Sequence, residues 1–227
     1  MGRINILYCS YRDWSENILA YAKHFMLEEH SNLNVNFVHI STTEELLNLD
    51  LAKFDLLFFI GWSELIPHNI VDSNYCICLH PAPLPKYRGG SPIQHQIING
   101  DYDSAISFFI MDRGLDTGDI LYQIPIKLDG ELSDIFLNIV NSSYTTVCQI
   151  IIDYIKNGKL QGAPQNNDTS TTVKRRNKHM SEIQISDFEH HTATQLYDKI
   201  RSLQDPYPNA YIRCKDNTIL YITKAKV

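Results

Sequence analysis

The first eighty residues alternate between short apolar runs and segments of helical periodicity, and this alternation limits the folds open to the chain. Runs at 4–9, 35–40, 55–61 and 75–80 have the length and apolar character of buried strands. Between the first two, apolar side chains recur at helical spacing, at Ile18, Leu19, Ala22, Phe25 and Met26. Strands that alternate with helices form a mainly parallel sheet with helices on both faces, so we expect an α/β fold.

Two further strands and a long helix extend this pattern. The runs 104–111 and 119–128 read as strands on either side of a turn, DRGLDTG, at 112–118. Apolar positions between Ile135 and Ile155 then follow one helical face, and a glycine closes the helix. We expect these elements to complete a core domain over residues 1–160.

The polar segment 161–180 separates this core domain from the last part of the sequence. Its composition is that of a linker or of a long functional loop. Residues 181–227 contain one helical pattern, at 192–203, and two strand-like runs around the turn KDN. We therefore expect a small C-terminal subdomain made of a helix and a β-hairpin.

Charge, hydropathy and cysteine usage argue against several classes of protein. The formal net charge of −6 disfavours a broad nucleic-acid surface, because phosphate binding needs a surplus of lysine and arginine. The longest apolar run, LLFFI, is far shorter than the roughly 20 residues that span a bilayer, and the N-terminal segment lacks a secretion-signal pattern. From these two observations we expect no membrane association and a cytoplasmic protein.

The five cysteines form no pair of C-x-x-C units, so we expect reduced thiols and no metal site.

The loop CLHPAPLPKYRGGSPIQH, residues 78–95, carries the residues best suited to chemistry. His80 falls at the end of the fourth predicted strand, and in open α/β sheets ligands bind outside the carboxyl ends of the strands. A histidine exchanges protons near neutrality, and a carboxylate beside it fixes its tautomer and stabilises its cation. A lone strand-end histidine more often only satisfies a backbone carbonyl, so the role of His80 depends on its partners.

Several segments, in order and at matching spacing, resemble the formyl-tetrahydrofolate-dependent formyltransferases: LHPAPLPKYRGGSP, MDRGLDTGDIL, KRR and IRSLQDPYPNAYI. The resemblance covers nearly all of the chain. It implies a Rossmann-like fold with 10-formyltetrahydrofolate as co-substrate and no metal. It also implies that His80 handles the proton of the attacking amine and supports the oxyanion, while Asp116 positions His80 and a relay water.

Cys78 departs from the family pattern. The family usually has Asn-x-His at the end of this strand, and Cys78 stands in the place of the asparagine. A carboxamide N–H can donate to the oxyanion, whereas a thiol is a weak donor, and loss of one oxyanion donor costs about two to three powers of ten in rate. We retain Cys78 as a catalytic candidate, and a small buried side chain is the alternative interpretation.

The same resemblance implies binding roles for four loops. The segment after the third strand resembles the family's pteridine loop. The turn at 112–116 would close over the same pteridine ring from the other side. The folate-site candidates are Trp62, Glu64, Leu65, Ile66, Pro67, Asp112, Arg113, Gly114 and Leu115.

The other two loops would bind the acceptor. The cations and glycine amides beside His80 match the charge of a diphosphate, and the loop after the first strand could contact the attached sugar or nucleotide. The acceptor-site candidates are Lys86, Tyr87, Arg88, Gly89, Gly90, Tyr11, Arg12 and Trp14. The alternative for the pteridine loop is an ordinary hydrophobic connection between a strand and a helix. For Lys86, Tyr87 and Arg88 the alternative is a solvated surface, and for the loop after the first strand it is aromatic packing against the last helix.

The resemblance restricts the acceptor less than it restricts the chemistry. Family members that act on methionyl-tRNA continue into a C-terminal barrel, whereas this sequence stops after ILYITKAKV and is acidic. It resembles the compact sugar-nucleotide N-formyltransferases, so we expect a nucleotide-linked amino sugar, first dTDP-4-amino-4,6-dideoxyglucose, and a homodimer formed through the C-terminal subdomain. A methionyl-tRNA formyltransferase-like enzyme, a formyl-folate hydrolase and a catalytically silent folate-binding module are the alternatives.

Overall fold

A six-stranded sheet lies at the centre of the computed structural model, which describes residues 2–227. The strands within these residues are β1 (Ile4–Cys9), β2 (Val35–Ile40), β3 (Leu56–Ile60), β4 (Cys76–His80), β5 (Arg88–Gly89), β6 (Asp103–Ile110), β7 (Ile120–Lys127), β8 (Thr172–Val173), β9 (Ala210–Arg213) and β10 (Ile219–Ile222). The central sheet has the order β2-β1-β3-β4-β6-β7. The first four strands in this order are parallel, and the last two pair antiparallel. The expected mainly parallel sheet is therefore confirmed.

Helices cover both faces of this sheet because successive strand residues point to opposite sides. The helices are α1 (Asp13–Glu29), α2 (Thr43–Asn48), α3 (His68–Ser73), α4 (Pro92–Ile98), α5 (Leu132–Asn157), α6 (Asp187–His190) and α7 (Ala193–Arg201). In β1, Ile6 and Tyr8 belong to the apolar cluster that includes α1 and α5. The alternate residues Leu7 and Cys9 belong to the cluster that includes α2 and α3.

The helix α5 is long and apolar enough to cross a membrane by length and composition alone. In the fold, 61% of the tested stretch is buried, and residues such as Ile135, Ile139 and Ile151 are fully enclosed in the core. A buried core helix meets the same two criteria. Apolar residues on α5 are interrupted by polar ones, so a search for one uninterrupted run does not detect it.

The segment 161–180 packs against the loop that follows β4. Its strand β8 pairs in parallel with β5, and the Gly90 N–H donates to Val173 O at 3.1 Å. A Cβ atom at Gly89 would lie 2.2 Å from Val173 O, and one at Gly90 would lie 2.6 Å from the Cα atom of Arg175. The paired glycines therefore let this segment lie directly on the loop that follows β4.

The C-terminal subdomain is anchored to the core domain by buried polar contacts. The Arg201 guanidinium pairs with Asp198 at 2.7 Å and donates to Leu128 O at 2.6 Å. The Tyr102 hydroxyl donates to the same aspartate at 3.0 Å. If α7 moved away, these buried charged and polar groups would lose their partners, and a buried charge without a partner is strongly unfavourable. The contacts therefore fix the position of the helix. They hold α7 in place, and with it the loop after α7 that carries Tyr207.

Candidate active site

His80 and Asp116 are far apart in the sequence and meet at the carboxyl end of β4. His80 is the last residue of this strand and is 6% exposed, while Asp116 lies in the turn between β6 and β7. The distance from His80 Nδ1 to Asp116 Oδ2 is 3.5 Å. Both side chains line one cavity of about 730 Å³. The structure thus brings together the two residues for which the resemblance implies proton chemistry.

The hydrogen bonds of His80 indicate which ring nitrogen is basic. Nε2 lies 2.8 Å from the Tyr87 carbonyl oxygen, which can only accept, so the neutral ring carries its proton on Nε2. Nδ1 is left on the Asp116 side as the nitrogen that can take a proton. Once both nitrogens are protonated, the ring lies between two acceptors, which stabilises the cation.

Asp116 is held by the backbone and by a glutamine. The Gly89 N–H donates to Asp116 Oδ2 at 2.7 Å. The Gln165 amide donates to the carbonyl oxygens of Asp116 and Gly118 at 2.9 and 2.7 Å, and its own oxygen accepts from Arg88 at 3.1 and 2.7 Å. Gln165 is not among the residues predicted from the sequence, because nothing in the polar segment 161–180 distinguishes it until the segment is seen to fold back onto the core domain.

Cys78 lines the cavity, but its thiol is a poor donor there. Burial, and after it the charge of Asp116, raises the pKa of the Cys78 thiol well above its ordinary value. The group therefore stays protonated near neutrality, and its Sγ lies 3.6 Å from the Leu79 carbonyl oxygen. Within residues 2–227 no group of three or more His, Cys, Asp or Glu side chains lies close enough together to hold a metal ion.

The predicted pteridine loop follows β3 and faces the cavity. Trp62, Glu64, Leu65 and Ile66 line it, whereas Pro67 does not and instead caps the N-terminus of α3. The Glu64 carboxylate accepts from the Thr43 hydroxyl, which ties the loop to α2. The Trp62 indole N–H is buried and makes no hydrogen bond to any atom of residues 2–227.

The turn between β6 and β7 forms another wall of the cavity, which all four predicted residues, Asp112, Arg113, Gly114 and Leu115, line. Asp112 accepts from the Gly114 N–H at 2.9 Å and from the Thr117 hydroxyl at 2.6 Å. The Arg113 guanidinium pairs with Asp72 of α3 at 2.7 Å. The polar side chains of the turn thus hold its shape, and its backbone and Leu115 are left for a ligand.

The predicted diphosphate site beside His80 differs from the observed arrangement. Lys86, Tyr87 and Arg88 do not line the cavity, and the Arg88 guanidinium is buried against Gln165 and an asparagine. Gly89 and Gly90 do line the cavity, but their N–H groups donate to Asp116 and to Val173 O. Arg88 and the two glycine amides therefore already have partners within the chain, and they hold Gln165, Asp116 and β8 in place. Lys86 is exposed but lies outside the cavity.

Other cations face the cavity. Arg12, Lys174 and Arg175 line it, and none has a carboxylate within 4.0 Å among residues 2–227. The guanidinium of Arg12 lies over the rings of Tyr11 and Tyr207, at 5.3 and 5.8 Å from their centroids. Tyr11 itself does not line the cavity.

Three stacked rings form an aromatic wall of the cavity, defined by Trp14, Phe136 and Tyr207. The centroid of Trp14 lies 5.4 Å from that of Phe136, which lies 6.0 Å from that of Tyr207. Of these three residues, only Trp14 is among the site residues predicted from the sequence. Tyr207 and Arg175 lie in segments that carry the resemblance, DPYPNAY and KRR, and that was the one signal that could have identified them.

Comparisons with known proteins agree with this geometry. Residues 19–138 match the family described as formyl transferase. The chain is 31% identical over 175 residues to methionyl-tRNA formyltransferase of Finegoldia magna, and 32% identical over 185 residues to that of Rickettsia bellii. The two alignments cover 75% and 78% of this chain but only 54% and 57% of the relatives. The chain thus spans little more than half the length of these curated relatives.

Solved structures with the same fold include proteins of several kinds. A methionyl-tRNA formyltransferase from Clostridium thermocellum has a TM-score of 0.78 and 26% identity, with 96% of this chain and 97% of that chain covered. A sugar N-formyltransferase from a Shewanella species has a TM-score of 0.77 and 16% identity, with 99% and 98% covered. HypX of Aquifex aeolicus in complex with tetrahydrofolic acid has a TM-score of 0.70 and 16% identity, with 93% and 36% covered.

Proposed function

Because the chain belongs to the formyl transferase family, we propose that it transfers a formyl group from 10-formyltetrahydrofolate to an amine at the His80 site. The observation that carries this proposal is the approach of His80 Nδ1 to Asp116 within one large cavity. Sites for small molecules have volumes of about 300 to 1,000 Å³, so a cavity of about 730 Å³ is large enough for the reacting parts of two substrates.

His80 and Asp116 account for the proton transfers of this reaction. The amine nitrogen attacks the formyl carbon, and the carbonyl oxygen becomes an oxyanion. The new C–N bond forms, the amine loses a proton to His80 Nδ1, and Asp116 stabilises the resulting cation. Collapse of the intermediate breaks the bond to the folate nitrogen, which receives the proton from His80. When tetrahydrofolate has formed, His80 is neutral again, as it was before the reaction.

The folate is proposed to bind between the pteridine loop and the turn at 112–116. Trp62 and Leu65 supply apolar surface, and the free Trp62 N–H supplies a donor. An apolar slot with a few oriented polar groups suits a flat heterocycle. The tetrahydrofolic acid in the HypX complex, which shares this fold, supports the same class of co-substrate.

The proposed acceptor is a nucleotide-linked amino sugar, with dTDP-4-amino-4,6-dideoxyglucose as the first candidate. Cations without carboxylate partners face the cavity of a chain whose formal net charge is −6, which fits an anionic small molecule. The sugar N-formyltransferase from Shewanella has the same fold over 98% of its chain, and it supports this acceptor by fold alone.

Methionyl-tRNA is the second candidate acceptor, and the curated relatives favour it. Both Finegoldia magna and Rickettsia bellii relatives are named as methionyl-tRNA formyltransferases, and so is the Clostridium thermocellum structure. A tRNA would have to bind outside the cavity as well, against an acidic surface overall.

An acceptor panel separates these functions. The protein is incubated with 10-formyltetrahydrofolate and, in turn, dTDP- and UDP-linked amino sugars, methionyl-tRNA, or buffer alone, and products are read by mass spectrometry. A gain of one formyl group on an amino sugar supports the proposal, and formylation of methionyl-tRNA alone overturns the proposed acceptor. Formate release without any acceptor would indicate a hydrolase, and folate binding without turnover would indicate a binding module.

A further inference from the structure

Arg12 is held in an unusual way for a charged side chain at a cavity. Its guanidinium lies over Tyr11 and Tyr207 at 5.3 and 5.8 Å, so aromatic rings fix its orientation. Its N–H groups make no hydrogen bond to any acceptor in residues 2–227, and no carboxylate of these residues lies within 4.0 Å. The edge of the guanidinium, which matches carboxylate and phosphate oxygens, is therefore free.

Arg175 brings a second guanidinium to the same place. One of its N–H groups donates to Ser63 Oγ at 3.2 Å, and its charge has no carboxylate partner within 4.0 Å in the described chain. Burial raises the pKa of Tyr207, and Arg12, the Gln94 amide and Arg175 each act in the opposite direction. Both guanidiniums thus lie close enough to one hydroxyl to affect it.

Gln94 is an independent indication that this part of the cavity binds a ligand. Its side chain lines the cavity and is only 3% exposed. It lies beside the Tyr207 hydroxyl, but its Nε2 makes no hydrogen bond of proper geometry within residues 2–227. Buried polar groups in native proteins are nearly always paired, so an amide that lacks a well-formed hydrogen bond beside a cavity can gain one from a bound ligand.

We infer that Arg12, Arg175 and Gln94 form a diphosphate-binding subsite for the acceptor, with Tyr207 positioning Arg12. Each phosphate of a nucleotide-linked diphosphate carries a negative charge, which a pair of guanidiniums can match. The inference rests on the proposed function for the identity of the acceptor. It replaces the loop beside His80, whose Arg88 and glycine amides have other partners and whose Lys86 lies outside the cavity. The new subsite is built from the loop after β1, α4, the segment 161–180 and the loop after α7.

Direct binding of nucleotides tests the subsite without turnover. Isothermal titration compares dTDP, UDP and GDP with their nucleosides, in the absence of folate. We expect at least one diphosphate to bind about tenfold or more tightly than its nucleoside. Arg175→Ala and Arg12→Lys should each weaken that diphosphate about 10- to 100-fold and change nucleoside binding little. The control Arg3→Ala removes an exposed arginine at the opposite ends of the strands and should bind like the parent.

The Tyr207 variants separate positioning from mere packing. Tyr207→Phe keeps the ring that lies under Arg12 and should retain most of the diphosphate affinity. Tyr207→Leu loses the ring and should approach the affinity of the Arg12 variant. Thermal melting of each variant identifies any that fails to fold, and Arg12→Lys and Tyr207→Phe are conservative enough to keep the test open.

Several results would overturn the inference. One is that no diphosphate binds more tightly than its nucleoside, and another is that both arginine variants bind it like the parent. A third is that these variants weaken 5-formyltetrahydrofolate instead, since the carboxylates of a folate tail could also occupy guanidiniums. The proposed function is judged separately: arginine-dependent nucleotide binding without transfer to any amino sugar refutes the acceptor but keeps the subsite. Transfer with an unchanged KM in Arg175→Ala keeps the function and refutes the subsite.

Discussion

The Oδ2 atom of Asp116 lies 3.5 Å from Nδ1 of His80 and 2.7 Å from the amide nitrogen of Gly89. The carboxylate is thus fixed by the backbone of the same loop that carries the histidine. The opposite side of the ring is fixed by the Tyr87 carbonyl at 2.8 Å. Imidazole and carboxylate are therefore oriented before either substrate arrives, which is the arrangement that favours proton transfer in a closed site.

Gln165 should act as a positioning residue for Asp116. Gln165→Leu removes both donors to the turn that carries Asp116, and we expect kcat to fall about 10- to 100-fold with little change in either KM. Asn167→Ala is the matched control, because it removes the other acceptor of Arg88 and touches no part of that turn. Steady-state kinetics check the difference, and equal kcat values for the two variants would contradict this role.

Cys78→Asn should increase the rate of transfer. The thiol is a weak donor, whereas a carboxamide at this position could donate to the oxyanion, so we expect kcat to rise about tenfold or more. Cys78→Ser adds a shorter donor and should give a smaller change. If the asparagine variant shows no gain in single-turnover experiments, other groups of the cavity already stabilise the oxyanion.

Stability should fall above pH 9 because of buried thiols. Burial raises the pKa of Cys76 from its ordinary 9.0 to about 12. The unfolded chain releases this proton at a lower pH than the folded chain, so the stabilisation present below pH 9 is lost as the pH rises toward 12. Between pH 8 and pH 10 the contribution of Cys76 to the free energy of unfolding should fall by roughly 1.4 kcal/mol.

Urea unfolding at these two pH values measures the effect. Cys76→Ala should show a shallower loss of stability than the parent. Ile70→Val, a change in the same apolar cluster with no titratable group, should keep the parent's pH dependence. Identical pH dependence in the parent and in Cys76→Ala would rule out the assigned cause.

We expect the protein to form a homodimer through the hairpin of β9 and β10. One face of the hairpin packs on the small core of the C-terminal subdomain, while Leu220 and Tyr221 are 58% and 48% exposed. The Ile183 N–H donates to Tyr211 O at 2.7 Å and so occupies the outer edge of β9, whereas no strand of residues 2–227 pairs with the outer edge of β10. An open edge of this kind can pair with a second chain, and a two-stranded sheet buries little on its own. Light scattering should therefore report a dimer for the parent and a monomer for Leu220→Asp. Lys215→Asp, in the exposed turn of the hairpin, should remain dimeric, and a monomeric parent at micromolar concentration would refute the expectation.

The sequence predicts the elements of the fold well because they depend on local periodicity. The alternation of apolar strands and amphipathic helices is read within ten to twenty residues, and it places His80 at the end of β4. The position of Asp116 beside it is not local, and the resemblance to a family, rather than any pattern in the residues, indicated that pairing.

The sequence could not indicate which cations face the cavity. Lys86, Tyr87 and Arg88 lie next to His80 in the chain, yet the Arg88 side chain turns away to hold Gln165. Arg175 and Tyr207 reach the cavity only because β8 pairs with β5 and because α7 is anchored by its buried ion pair. Such long-range packing decides which charged residues are solvent-exposed and which form a site, and composition does not report it.

The most direct test of the central claim is the turnover of His80→Asn and Asp116→Asn with 10-formyltetrahydrofolate and the best amino-sugar acceptor. Asparagine at position 80 is smaller than histidine and cannot exchange the proton, and asparagine at position 116 has the shape of aspartate without the charge that stabilises the imidazolium. We therefore expect kcat to fall by about two to four powers of ten while folate and nucleotide binding remain. Near-parent turnover in either variant, with the formyl group still found on the acceptor by mass spectrometry, would contradict the account.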